Sequence, residues 1–299
     1  MASVWIQQLI NGISLGSLYA LIALGYTMVY GILRLVNFAH GEIYMVGAIT
    51  ACYLSVWLPI ENLTLRLLLI LLLSMAASGV LGVVIERVAY RPLRQAPRVQ
   101  VLITAIGVSL LLQYGGQRLF GTQAKHFKSP LANYALFDFH GIIITNLQVV
   151  ALAVTLVLML VLQRLIQTTQ MGKAMRAVSF SHATSQLMGI PVNRIIAITF
   201  LLGSLLAGAA GVLMVLLYPQ ADPLMGLMPG LKAFVAAVLG GVGSIPGAVL
   251  GGLLMGLSET LVVFLFSSSY RDAIAFVLLI FILAVKPTGI LGNRIQDKV

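Results

Sequence analysis

Eight long apolar runs, separated by short breaks that hold nearly all of the charge, limit what this chain can fold into. They lie near 5–33, 42–58, 65–85, 99–117, 147–163, 195–218, 231–266 and 273–285. About 20 consecutive apolar residues cross the bilayer as a helix, because in hydrocarbon every backbone N–H and C=O must find its partner within the segment. Composition points the same way. Of 299 residues, 60% are hydrophobic and 9% charged, where a soluble domain carries roughly a quarter of its residues as charges. The expected fold is all-α, a polytopic transmembrane bundle of roughly 8–10 helices forming a single domain over 1–299. Little length remains for a fused catalytic or nucleic-acid-binding module.

The first run, from about Trp5 to Leu33, exceeds the 7–15 residues of a signal-peptide core, so it is expected to stay as the first helix. Cys52 is the single cysteine and lies in an apolar run, which argues for packing and against a disulfide or thiolate metal site. The net charge of +10 sets orientation and meets anionic headgroups rather than signalling nucleic acid. Arg34, Arg87, Arg91, Arg94, Arg98, Arg164, Lys173, Arg176, Arg194, Lys286, Arg294 and Lys298, 12 of the 18 basic residues, fall in one set of loops. That set is cytoplasmic by the positive-inside rule. The N-terminus and the segments 59–64, 118–146, 219–230 and 267–271 then lie outside.

The run 231–266 is too long for one crossing, and Gly240-Gly241-Val242-Gly243-Ser244-Ile245-Pro246-Gly247 should break it into half-helices near 231–241 and 248–266. A break at membrane depth must be buried in protein or line a wet cavity. A faint internal likeness also stands out. A helix with Gly12, Gly16 and Gly25 leads through Asn37–Glu42 into an apolar stretch, and a helix with Gly203, Gly208 and Gly211 leads through 219–230 into another. With the first ending inside and the second outside, the halves would be inverted repeats. The plainer alternative is that two Gly-rich membrane helices look alike by composition.

Small residues four apart recur at Gly12/Gly16, Ser78/Gly82, Gly203/Ala207/Gly211, Gly247/Gly251 and Gly252/Gly256. They permit close backbone approach, either within the bundle or against a second membrane subunit. The loop 164–194 has the spacing of short helices outside the membrane: Ala174, Ala177 and Val178 form an apolar stripe beside Lys173 and Arg176, and Gly189 and Pro191 end the second. Resting on lipid headgroups and docking another protein are both open to such helices. The cluster Glu86–Arg94 reads first as a topology anchor. Asn37-Phe38-Ala39-His40-Gly41-Glu42 gathers an amide, an imidazole and a carboxylate at a helix entrance, where Asn37 can cap and Glu42 suits the helix dipole. A metal is not expected there, because no second histidine lies at ligand spacing and His126, His140 and His182 are isolated. Glu259 is the acid well inside an apolar run, so it belongs either to an ion pair with Lys232 or Arg271 or to a solute pathway. No P-loop, His-Glu-x-x-His or Gly-x-Ser-x-Gly sequence is present, and Gly172-Lys173 is followed by Ala174.

Several of these stretches together identify a family. Gly16–Leu21 through Tyr30-Gly31, Val36–Glu42, Glu86–Arg94, Gly172–Ala177 and Lys232 through Gly247 make the chain resemble, over its whole length, the H-type permease subunits of bacterial branched-chain amino acid ABC importers. The resemblance implies a multi-pass permease of the bacterial inner membrane that is not itself an enzyme. It implies as partners a homologous second permease, two ATPase subunits using ATP and magnesium, and a periplasmic solute-binding protein. No cofactor is expected on this chain, and no nucleic acid among its partners.

Importers of this kind carry a Glu-Ala-Ala-x-x-x-Gly coupling motif. The matching positions here, Ala183-Thr184-Ser185-Gln186-Leu187-Met188-Gly189, keep only the glycine. The coupling loop is therefore expected to use Gly172, Lys173, Arg176, Ala177, Ala183, Thr184, Ser185, Gly189 and Ile190. The translocation path is expected to involve Asn37, Phe38, His40, Gly41, Glu42, Gly240, Gly241, Gly243, Pro246 and Glu259. Concentrating a solute about 1,000-fold costs roughly 4.1 kcal/mol, so the drive must come from the ATPases. Relatives that carry urea or short amides, and a carrier working alone, are the competing expectations.

Overall fold

The computed structural model describes residues 2–94 and 96–292. Arg294 and Lys298, assigned above to the inner side, lie outside the described residues. Helices run α1 Ala2–Leu33, α2 His40–Trp57, α3 Leu63–Ile85 with a π-helical turn Glu86–Tyr90, α4 Arg98–Phe120, α5 Asn146–Thr168, α6 Gln170–Phe180, α7 His182–Leu187, α8 Val192–Leu217, α9 Leu227–Gly240, α10 Ile245–Leu265 and α11 Ala273–Val285. Six of the described helices are long and apolar enough to cross a membrane, and α9 and α11 are shorter apolar helices. At 14 and 13 residues they reach only about 20 Å, short of the roughly 30 Å hydrocarbon core. With α2, nine of the helices among the described residues enter the membrane wholly or in part.

The loops separate into two groups that agree with the charge assignment. On the outer side, β1 Lys125–His126 pairs antiparallel with β4 Gln220–Ala221. On the inner side, the ring nitrogen Nε2 of His182 lies 2.9 Å from the carbonyl oxygen of Ile32, and Arg94 bonds both Glu86 and Asn193. An all-α reading omits the β1–β4 pair and one more. The outer loop carries a hairpin of β2 Ala135–Phe139 and β3 Ile142–Thr145, turned by His140 and Gly141 at φ 51° and 82°, the double left-handed turn that suits a two-residue hairpin. Its strands are too short and exposed for their pattern to stand out from a loop.

The two halves are inverted repeats. Exchanging α1–α4 for α8–α11 carries the main packing pairs into one another: α1 lies on α10 and α8 on α3, while α2 lies on α8 and α9 on α1. Gly25 of α1 faces Gly203 of α8, and Gly41 at the start of α2 meets Gly226 and Gly230 at the start of α9. Since α1 runs inward and α8 outward, the relation is inverted and not a coincidence of composition. The small-residue stripes are spent within the bundle: Gly12 and Gly16 on Leu257 and Leu253, Gly82 on Ser204, Gly211 on Tyr44, and Gly251 on Ala236. None of them is left over for a second subunit, which corrects that alternative.

Candidate functional site

The link after α1 does not stay at the membrane surface. α1 ends with Arg34 in a left-handed conformation, φ 54°, its N–H bonded to the Tyr30 carbonyl. The chain then climbs back until His40 packs into the notch at Gly25, eight residues up the helix from Leu33, or about 12 Å. α2 thus begins inside the membrane. Its entrance needs partners for freed backbone groups, and the side chains of the Asn37–Glu42 motif supply them. Asn37 Oδ1 accepts from the Ala39 N–H at 3.1 Å and from the Tyr90 hydroxyl at 3.0 Å. This differs from the capping role expected of Asn37: the residue before the helix is Ala39, without a side-chain cap. His40, 1% exposed, sits edge-on to Tyr26, ring centroids 4.7 Å apart.

Glu42 turns the other way. One carboxylate oxygen, Oε1, accepts from Gln113 Nε2 at 2.8 Å and from Ser109 Oγ at 3.2 Å, both on α4. The second oxygen, Oε2, has no hydrogen-bond partner although the side chain is 1% exposed. It faces Gly226, just before α9. Here the N-terminal ends of α2 and α9 converge at membrane depth and border a cavity of about 460 Å³ that is open on the side of Leu110 and Phe276. Gly41, Glu42, Gly226 and Gly230 line one wall, while Phe38, Leu110, Phe234, Phe276 and Leu279 make the rest largely apolar. Ser109 and Gln113 escaped sequence reading. Their signal was present as two polar residues at i and i+4 in the apolar middle of α4, the spacing that puts both on one face.

The other expected pathway residues lie elsewhere. The break at 241–244 sits at the inner end beside Gly31, not in the cavity. Gly240 and Gly247 pack backbone to backbone, Ser244 caps α10 by accepting from the Gly247 N–H, and Pro246 occupies the first turn of α10. The orphan carbonyls of Leu239 and Gly240 accept from the N–H groups of Ile290 and Leu291, each at 2.9 Å. Gly241, at φ 106°, abuts Gly292. The break is thus covered by the chain following α11. Gly243 borders a small inner depression with Met175 and Arg176 of α6. Asn37 and His40 are buried in helix packing beside the cavity, not in its lining.

Glu259, 2% exposed, is held by both partners that sequence offered. Lys232 Nζ lies 3.1 Å and Arg271 Nε 3.3 Å from Oε1, and the Tyr19 hydroxyl donates to Oε2 at 2.8 Å. Lys232 also reaches Asp272 at 2.8 Å. The group ties α1, α9, α10 and the loop before α11 together, and Glu259 is not among the cavity's lining residues.

On the inner side, Thr169 caps α6 and Ser181 caps α7. Gly172 is pressed against the Ile166 backbone, where a side chain would collide. Met175 and Val178 anchor α6 in the bundle, with Ala174 and Ala177 half-buried, and Lys173 and Arg176 face outward. Ala183 and Thr184 are exposed, Ser185 is buried, and Ile190 bonds back to the Ser185 carbonyl. Gly189, at φ 78°, ends α7. Phe180, Leu187 and Met188 project as an exposed apolar tip, each more than three-quarters open.

A repeated helical membrane bundle with two helix N-termini meeting at a cavity is the architecture of many membrane transport proteins. The family described as the permease component of branched-chain amino acid transport systems matches residues 8–283, and the chain belongs to it. The chain is 42% identical to the high-affinity branched-chain amino acid transport system permease protein BraD of Pseudomonas aeruginosa, over 99% of this chain and 98% of that one. It is 41% identical to the corresponding protein LivH of Escherichia coli K12 over the same shares. The ribose import permease protein RbsC of Haemophilus influenzae is 26% identical over 97% of this chain and 87% of its own. No solved structure matches the chain. Nothing in the comparisons favours a urea or amide carrier.

Proposed function

We infer that this chain is one of two permease subunits of an ATP-driven importer of branched-chain amino acids in the inner membrane, passing solute delivered by a binding protein. The 41–42% identity to LivH and BraD over nearly the whole length carries this reading. Two features of the bundle support it. The cavity gives a solute an apolar station bordered by two helix N-termini, as in alternating-access carriers. The α6–α7 tip offers separate ATPase subunits an apolar, basic-flanked knob: the exposed Phe180, Leu187 and Met188 beside Lys173 and Arg176. Thrust on this knob would reach the bundle through the contact of His182 with the end of α1. α1 in turn packs on α8, α9 and α10, around the cavity.

The test is labelled leucine uptake into proteoliposomes holding this chain, its partner permease and both ATPases, with binding protein outside and ATP inside. Uptake that stops when ATP is omitted is the expected result. Equal uptake without ATP would turn the reading to a carrier working alone.

A further inference from the structure

We propose that the cavity between the α2 and α9 N-termini is a recognition site for a zwitterionic α-amino acid, with Glu42 Oε2 accepting from its ammonium group and the α9 N-terminus facing its carboxylate. The proposal rests on the importer reading and adds the chemistry by which the solute is held.

A zwitterion entering a membrane interior must exchange hydration of both charges for fixed partners, since an unpaired charge at that depth is costly. Glu42 is the one acidic or basic side chain in the cavity lining. Gln113 and Ser109 fix its Oε1, so its orientation is set before any solute arrives. Its Oε2 is left without a donor inside the protein. An unmet carboxylate oxygen that borders a cavity fits a donor that comes and goes.

The carboxylate has its own seat. α9 has no acidic residue in its first turn and no side-chain cap, so its own sequence leaves the positive end of its dipole to charges from outside the helix, of which Glu42 Oε2 beside Gly226 is one. Gly226 and Gly230 admit the backbone of Gly41, so a solute would reach that end from the cavity side, between Glu42 and Leu227. A methyl group on Gly226 would stand 2.7 Å from Glu42 Oε2, so the two seats are adjacent, matching two charges borne on one α-carbon. Beyond them Leu110, Phe234 and Leu279 form an aliphatic and aromatic wall. The volume of about 460 Å³ falls within the roughly 300–1,000 Å³ usual for small-molecule sites.

Two measurements on the reconstituted complex test this. In the first, Leu279→Cys places a thiol in the cavity wall, the native Cys52 being buried, and its maleimide labelling is timed with leucine, isocaproate (no ammonium) or isopentylamine (no carboxylate). Leucine should slow labelling about tenfold, both analogues far less, and Glu42→Gln should abolish the protection by leucine. Equal protection by isocaproate, no protection by leucine, or protection within about twofold of the parent in Glu42→Gln overturns the assignment.

The second measurement is ATP-driven uptake. Glu42→Gln is expected to lower leucine uptake about tenfold or more. Should that variant not assemble, Leu110→Trp fills the cavity from a half-exposed position of α4 without touching the Glu42 bonds, and uptake within about twofold of the parent would overturn the site. Absence of ATP-driven leucine uptake by the parent complex would count against the importer reading alone, because the labelling pattern judges the cavity independently.

Discussion

At Glu259 three donors converge on one buried carboxylate, and the stability of the bundle should respond to how that group is broken. Glu259→Ala leaves Lys232, 4% exposed, with only the half-exposed Asp272 as counter-charge. Removing one partner of a buried pair costs about 3–5 kcal/mol, and the lower end applies because Asp272 remains. Replacing both, Lys232→Met with Glu259→Leu, removes the desolvation penalty together with the attraction and should recover most of the loss. Thermal unfolding of the purified variants in detergent checks this: a double variant no more stable than Glu259→Ala would show that the charges hold more than each other. At this scale sequence was informative where partners were few. Lys232 and Arg271 were legible because almost no other charge sits near an apolar run. Glu42's partners were not, because the distance from residue 42 to residue 113 closes only when α4 folds beside α2, and a helical polar pair such as Ser109/Gln113 carries no mark of what it faces.

At the level of elements, the broken helix separates what breaks the chain from what carries solute. Pro246 lies in the first helical turn of α10, where its missing N–H removes no bond and its fixed φ fits the helix. Pro246→Ala should therefore change uptake and melting temperature little, unlike a proline bordering the path. Gly241 is the sensitive position: φ 106° is unfavourable for any side chain, and Gly292 fills the space a side chain would take. Gly241→Val is expected to expel the 289–292 segment, strand the Leu239 and Gly240 carbonyls and cost about 2–4 kcal/mol, the sum of backbone strain and lost buried hydrogen bonds. Hydrogen exchange at the amides of Ile290 and Leu291 reads it directly, and unchanged protection there would contradict the packing described. The existence and order of the membrane helices, and the break itself, could be read from apolar length and glycine content. The depth of the Asn37–Glu42 link could not, because a return into the membrane depends on Gly25 admitting His40, a contact without local periodicity.

For the whole molecule, the distance between the inner tip and the midplane cavity means that a drive applied at one must be carried by rigid helices to the other. The tip is built to be gripped. Phe180, Leu187 and Met188 are exposed on helices whose Met175 and Val178 are buried in the bundle, so force on them moves α6 and α7 as bodies. Leu187→Asp should weaken ATPase association by forfeiting the burial of one leucine, about 1.5–3 kcal/mol, or roughly 10- to 100-fold in affinity, without altering insertion. Gly189→Leu acts differently: a side chain at φ 78° costs about 1–2 kcal/mol and unwinds the end of α7, displacing the knob rather than blunting it. Co-purification with the ATPase subunits separates the two, since a mutation elsewhere that restores complementarity can rescue Leu187→Asp but not a misdirected α7. Full co-purification and uptake by both variants would move the docking surface away from this tip.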